Sequence, residues 1–251
     1  KQVLMQTTDK VVPGLCQSHG RLNVAKALAA VPGGTLGRVI NTRKDPTNPD
    51  NYYYSIQEAI DDANDGDTLI AEGRKTGNTL FLELIDFKGK AITLRSGDIT
   101  NPSDPNLYTH SAILFGLAKQ GSIVTFANGE GRDSVLKGFT IGWGVAENGG
   151  GIRIENASPT ITDCIIANNH ARSFGGGIDC LGGSPLIRNC VISDNVVFDA
   201  AGVGGGLNIE DATPTIIDCV IRNNRSMSAG GGLAKYNASA SIGNCFFLNN
   251  S

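Results

Sequence analysis

Gly175-Gly-Gly-Ile-Asp-Cys-Leu-Gly-Gly-Ser-Pro-Leu-Ile-Arg-Asn-Cys-Val-Ile-Ser-Asp-Asn195 is the stretch whose reading decides the fold, because the chain repeats its plan four times. Triple glycines begin at Gly149, Gly175, Gly204 and Gly230. Thirteen residues after the last glycine of each stands a cysteine, Cys164, Cys190, Cys219 or Cys245, and five further on an asparagine, Asn169, Asn195, Asn224 or Asn250. The period is 26, 29 and 26 residues, and the three extra residues all fall between Asn195 and Gly204. A repeat this regular, varying at one loop, is the signature of a solenoid.

The columns of the repeat say which solenoid. Ile152, Ile178, Leu207 and Leu233 follow the glycines; Ile161, Ile187, Ile216 and Ile242 form a second aliphatic column; Ile166, Ile192, Ile221 and Phe247 form a third. Such β-branched and aromatic residues suit strands, and they are read as inward-facing. The cysteines fill a small buried position between them, and parallel vectors in a stacked column suit disulfide torsions poorly. The asparagines close each coil as an amide ladder, while Pro159, Pro185 and Pro214 mark another corner. A leucine-rich repeat has a similar period, but needs a helix or 3₁₀ turn between strands, where this chain places three glycines at roughly 1 kcal/mol each against helix. The fold class is therefore all-β, a parallel β-helix solenoid.

Composition agrees. The 251 residues include 33 glycines, nearly double the usual share of roughly 7%. A net charge of −3 advertises no surface for nucleic acid. No apolar run approaches the roughly 20 residues of a membrane span. The start at Lys1 and the stop at Ser251, just after a repeat asparagine, lead us to expect a fragment of a longer protein.

Ahead of the repeats, Gln2–Thr8 and Leu22–Ala30 read as helical segments of a small tail, residues 1–31. Residues 32–51, with Pro46 and Pro49, read as a linker. Residues 52–251 form the solenoid. Its first element is a short helix near 55–64: Ser55 and Glu58 make a capping box, and Ile56, Ala59, Ile60 and Ala63 share one face. Such a helix covers the apolar end and open strand edges of the first coil. Thr68–Ile70, Ala91–Leu94, Ser122–Phe126 and Val135–Ile141 are expected strands.

Two resemblances follow from these tracts. Tyr54-Ser-Ile-Gln-Glu-Ala-Ile60, Gly66-Asp-Thr-Leu-Ile70, Gly89-Lys-Ala-Ile-Thr-Leu-Arg-Ser96 and the Gly-Gly-Gly-Ile repeats resemble, in that order, the secreted right-handed parallel β-helix proteins of the pectin-lyase-like group. That group mixes enzymes with non-catalytic surface modules, so the resemblance implies the fold and leaves activity open. Lys1–Asp9 with Gly20-Arg-Leu-Asn-Val-Ala-Lys-Ala-Leu28 resembles the C-terminal end of a subtilisin-like serine protease domain, departing at His19, where that family usually has glycine. It implies a parent serine endopeptidase whose catalytic residues precede this stretch, so no catalytic residue is assigned here.

The search for chemistry returns little. His19, His110 and His170 are scattered, and no paired CxxC spacing marks a zinc site. Asp163, Asn189, Asp218 and Asn244 alternate acid with amide, which fits turn capping better than a calcium site of six to eight oxygens. No metal and no cofactor is expected. Glu155, Asp179, Glu210 and Asp211, with Arg153, Arg188 and Arg222, number one or two per coil, are spread over several positions and read as a solvated face, where a glycosidase needs a carboxylate pair. The candidate binding loop follows the asparagine, at Phe174 in one coil and at Val197, Phe198 and Asp199 in the next, where the extra residues fall. Its apolar residues either stack on sugar rings or tuck back over the adjacent sheet. The resulting expectation is a monomeric, non-catalytic interaction or spacer module from a secreted or cell-surface bacterial protease, with a polysaccharide or cell-surface glycan as ligand. The alternatives are a polysaccharide lyase or glycoside hydrolase on the same coils, and an adhesin or autotransporter-like passenger.

Overall fold

The computed structural model describes residues 38–45, 48, 51–72, 79–97, 112–116 and 120–251. They form a parallel β-solenoid of about six turns with a single short helix. The helical tail expected over residues 1–31 lies outside the described residues.

One coil shows how the sequence makes the fold. Ile152–Glu155, Thr160–Thr162, Ile165–Ala167 and His170–Phe174 are four strands running round the axis, each in a different sheet. The corners between them are left-handed: Asn156, Asp163, Asn168 and Gly175 all have φ between 50° and 59°. Asparagine, aspartate and glycine are the residues that adopt this conformation most readily, so the corners recur wherever the repeat supplies them. The same logic corrects one expectation. Val135–Ile141 is not one strand but two, Val135–Lys137 and Thr140–Gly142, because Gly138 turns a corner at φ 76° in the position Asp163 takes one coil later.

Successive coils pair parallel and in register. Ile152 faces Ile178, which faces Leu207 and then Leu233; Ile161, Ile187, Ile216 and Ile242 align likewise, as do Ile166, Ile192, Ile221 and Phe247. These columns are buried until the last coil, where Ile242 and Phe247 have a neighbour on one side only and are exposed. Lys235, aligned with the inward Ile209, sits in that coil and reaches Ala238 O at 3.4 Å from the surface. The five described cysteines are free; Cys164, Cys190 and Cys219 are buried between the second and third columns, their thiols directed at backbone carbonyls.

The asparagine column is the axial spine. Asn169 Nδ2 donates to Asn195 Oδ1 at 3.0 Å, Asn195 Nδ2 to Asn224 Oδ1 at 2.9 Å, and Asn224 Nδ2 to Asn250 Oδ1 at 3.1 Å. Each Oδ1 also accepts the backbone N–H of the preceding asparagine, and each amide donates to a carbonyl one coil back, such as Ile166 O for Asn195. Asn169, Asn195 and Asn224 are wholly buried, so every one of these bonds replaces hydration that the fold has removed. The glycines serve the same close approach: a Cβ on Gly177 would lie 2.7 Å from Gly206 O and 2.9 Å from the Asn195 amide nitrogen.

The N-terminal end is closed as the sequence leads one to expect, with additions. Helix α1, Ile56–Asp62, buries Ile56, Ala59 and Ile60, and Ser55 accepts from Glu58 N at 3.3 Å. Glu83, far along the chain, also accepts from Ile56 N at 2.8 Å, Gln57 N at 3.1 Å and Ser55 Oγ at 2.7 Å. At the other end Lys90 Nζ donates to the Ile60, Asp61 and Ala63 carbonyls. Charges of these signs at these ends complement the helix dipole. Arg38–Asn41 lies inside the segment read as a linker, yet it is a strand, paired antiparallel with Tyr52–Tyr53 and with Thr68–Glu72. Its alternative would leave Val39, now fully buried, in water and the first sheet edge open.

Asn195→Ala is expected to lower stability by about 3 kcal/mol or more, since it removes a hub amide and strands buried partners on both sides. Urea denaturation measures this; a loss below about 1 kcal/mol would show that the ladder contributes little.

Candidate functional site

The segments after Asn169, Asn195 and Asn224, with the matching segment after Gly144, build a four-stranded sheet of their own: Val145–Asn148, His170–Phe174, Val196–Val197 and Arg225–Ser226. Ala171 aligns with Val197 and Ser226 on the inner face, while His170, Val196 and Arg225 align on the outer one. The three extra residues form a tight turn here. Ala201 N donates to Asp199 Oδ1 at 3.0 Å and Gly202 N to Asp199 O at 2.9 Å, after which Val203 N rejoins the ladder at Ser173 O, 3.0 Å away. Phe198 is thereby left projecting at the start of the bulge, 52% exposed.

Beside it opens a groove of about 470 Å³, lined by Gln120, Val145, Glu147, Arg172 and Phe198 among others. Arg172 stands 3.9 Å from Glu147 and 3.7 Å from Asp199, and Ser173 Oγ donates to Glu147 Oε1 at 2.9 Å. Exposed pairs of this kind add little stability, so their effect is to hold a polar wall in place. Of the four loop residues expected to bind, Phe174 and Phe198 are exposed, Asp199 stands by Arg172, and Val197 is 0% exposed, packed inward. Alternation along the strand explains Val197: it occupies the inner column of Ala171. Met227 and Trp143 are further exposed side chains on this side of the molecule.

A second constellation lies on the outer face of the sheet after the glycines. Register brings Arg153, Asp179 and Asn208 side by side, with Glu155 and Glu210 on a parallel column separated by Leu181. Asn208 Nδ2 donates to Asp179 Oδ1 at 2.9 Å, and Arg153 pairs with Glu155 at 2.9 Å. Asp179 is only 5% exposed. Burial pushes its carboxyl up from the ordinary range; the Asn208 hydrogen bond and Arg153 oppose the shift, and Glu210 and Glu155 add to it. The neighbouring Cys180 thiol, turned inward, is pushed up to about 12 by burial and by Asp179, which makes it an unreactive filler.

A family model for the right handed beta helix region matches residues 119–251. The chain belongs to the right-handed β-helix family. Searches of curated proteins and of solved structures return no match.

In this right-handed β-helix the acid–amide column is a set of corner caps: Asn189 Nδ2 donates to Asp163 Oδ1 and Asn244 Nδ2 to Asp218 Oδ1, each at 2.6 Å. Among the described residues no three His, Cys, Asp or Glu side chains are grouped to hold a metal, and no helix is long and apolar enough to cross a membrane. His170 lies on the outer face of the loop-edge sheet; His19 and His110 lie outside the described residues. Asn224 also fits a glycosylation pattern, but its amide is buried in the ladder. Arg153, Asp179 and Asn208 each stand two residues after a glycine triple, so the repeat spacing aligns them; their difference in type hid the column, which the register makes plain.

Asp179 supplies a test by pH. A carboxyl whose folded pKa exceeds its unfolded value favours folding fully below the unfolded pKa, and that contribution is lost as pH rises through the folded one. Asp179→Asn, which keeps the acceptor for Asn208, is expected to raise Tm at pH 7, with the difference vanishing below about pH 3.9. Thermal melts across this range decide it; a lower Tm at pH 7 would show that Arg153 outweighs burial.

Proposed function

We propose that this right-handed β-helix is a non-catalytic interaction module that binds carbohydrate along its loop edge. One observation carries the reading: exposed Phe198 borders a polar-walled groove at the one place where the repeat departs from its period, with Phe174 exposed on the preceding coil. Sugar rings combine apolar faces with hydroxyl rims, and an aromatic face beside paired Arg172, Glu147 and Asp199 offers contacts for both. The coils rise by about 4.8 Å each, a step comparable to one sugar of a polymer. The resemblance of residues 1–28 to a subtilisin-like C-terminus supports the further proposal that the module serves a secreted bacterial serine endopeptidase, tethering it to polysaccharide or cell-surface glycan.

A second reading, a polysaccharide lyase or glycoside hydrolase, is favoured by the Asp179 constellation, where a carboxyl with a raised pKa meets Arg153, Glu155 and Glu210. The covered position of Asp179 and its bond to Asn208 favour a structural role instead.

The experiment is affinity electrophoresis on immobilised polysaccharides, with reducing-end release assayed in parallel. Phe198→Ala is expected to weaken retention about tenfold, the worth of one aromatic stack, and deletion of Ala200–Gly202, which restores the 26-residue period, to weaken it likewise. Retention unchanged in both variants would overturn the loop edge as the binding face. Release of reducing ends abolished by Asp179→Asn would establish the second reading.

A further inference from the structure

Asparagine followed by glycine occurs twice in the chain, at Asn128-Gly129 and Asn148-Gly149. In such a pair the glycine nitrogen can attack the asparagine side-chain amide, because no Cβ hinders the approach and the two groups are held close by the chain itself. The two pairs sit in opposite surroundings. Asn148 ends the strand Val145–Asn148, where it aligns with Phe174, and the Gly149 N–H donates to Phe174 O at 2.9 Å. The Asn148 side-chain oxygen is shut off from water. Asn128 and Gly129, by contrast, are both exposed, just after the strand Val124–Phe126. No acceptor for the Gly129 N–H stands among the described residues, and a Cβ at Gly129 would meet nothing within 4 Å. The Asn128 side chain donates one bond, from Nδ2 to Asp86 Oδ1 at 3.1 Å.

What Asn128 touches decides what a change there does. The Lys88-Gly89 corner of the coil before packs on it, so that a Cβ on Gly89 would stand 3.0 Å from Asn128 O. The Glu130 carboxylate, 1% exposed, joins the two turns by accepting from Asn128 N at 2.9 Å and from Gly89 N at 2.8 Å. Asp86 Oδ1 accepts from Lys88 N at 2.8 Å as well as from the Asn128 amide. Gln57 of α1 holds the Asp86 backbone, donating to its carbonyl and accepting from its N–H, and Lys88 Nζ pairs with Asp61 of the same helix at 2.7 Å. The Asn128 side chain is therefore a neutral donor beside two carboxylates, at the joint that ties the capping helix to the coils.

We propose that Asn128 is a site of self-modification by deamidation. The Gly129 nitrogen bonds to Asn128 Cγ, the Cγ–Nδ2 bond breaks, and the amide leaves as ammonia with the proton lost from Gly129 N. Water then opens the succinimide to isoaspartate or aspartate, so water is the sole co-reactant and no oxidant or reductant is consumed. Either product sets a carboxylate against Asp86 where an amide had donated, and an attraction becomes a repulsion between like charges. Isoaspartate also lengthens the main chain by one carbon where Gly89 packs on it. The joint between α1 and the coils is loosened by the reaction, while the loop edge and its groove take no part.

The folded chain is held in mildly alkaline buffer, where the attacking nitrogen ionises more readily, then digested in acid and mapped by mass spectrometry. Isoaspartyl methyltransferase labels the isomerised product. Asn128 is expected to show the amide-to-acid mass change at least about tenfold faster than Asn148, whose reaction must first open a backbone hydrogen bond. In urea the two rates should converge. Conversion of Asn148 as fast as Asn128 in the folded chain would overturn the proposal, and so would conversion of Asn128 only in urea. The consequence is read with Asn128→Asp, which is expected to melt about 2 °C below the parent. Adding Asp86→Asn, which keeps the acceptor for Lys88 N, should return most of that loss. An Asn128→Asp chain that melts with the parent or above it would overturn the loosening of the joint.

Discussion

In-register stacking of one coil on the next is the constraint on which the rest of this molecule depends. Each inward side chain sits on its counterpart one repeat away, so a column takes residues that pack on that counterpart, as Ile161, Ile187, Ile216 and Ile242 do. Asparagine does this with hydrogen bonds as well as shape: its amide both accepts and donates along the axis, and Asn169, Asn195, Asn224 and Asn250 form a continuous ladder. A side chain lacking either capacity would break the series, which is why one residue type fills all four positions. The glycine triples follow from the same closeness, since the space a Cβ would take at Gly177 is held by the Asn195 amide and the Gly206 carbonyl.

Register also explains how separate repeats come to share a site. Arg153, Asp179 and Asn208 are 26 and 29 residues apart in sequence and adjacent in space. Where the period is kept, neighbouring coils present matched positions and the surface is a ladder. Where it is broken, after Asn195, the extra residues turn back on Asp199 and the ladder resumes at Val203, so the core is undisturbed and Phe198 is projected. Insertion at this edge alters the surface while leaving the interior columns in place.

The interior was legible in the sequence because its columns are chemically uniform: the three aliphatic columns, the cysteines and the asparagines all lie where the repeat spacing puts them. Helix α1 was legible from Ser55, Glu58 and the spacing of Ile56, Ala59 and Ile60. The second carboxylate at its N-terminus, Glu83, was not, since it arrives from another coil. Gly138 split an expected strand because one glycine inside an apolar run looks tolerable until its φ is known. Arg38–Asn41 was concealed by the prolines that follow it. At the loop edge the candidate residues were found by the break in period, but Val197 was grouped with Phe198 because sequence proximity ignores alternation; Val197 faces in and Phe198 out.

The molecule therefore divides into a self-complementary scaffold and one edge free to vary, and the central claim is that ligand meets the edge. Hydrogen–deuterium exchange with and without a retained polysaccharide tests it by location. Added protection confined to residues 143–147, 170–174 and 196–203 is the result expected. Protection centred on the sheet of Thr160–Thr162, Leu186–Arg188 and Thr215–Ile217, with the loop edge unchanged, would contradict it.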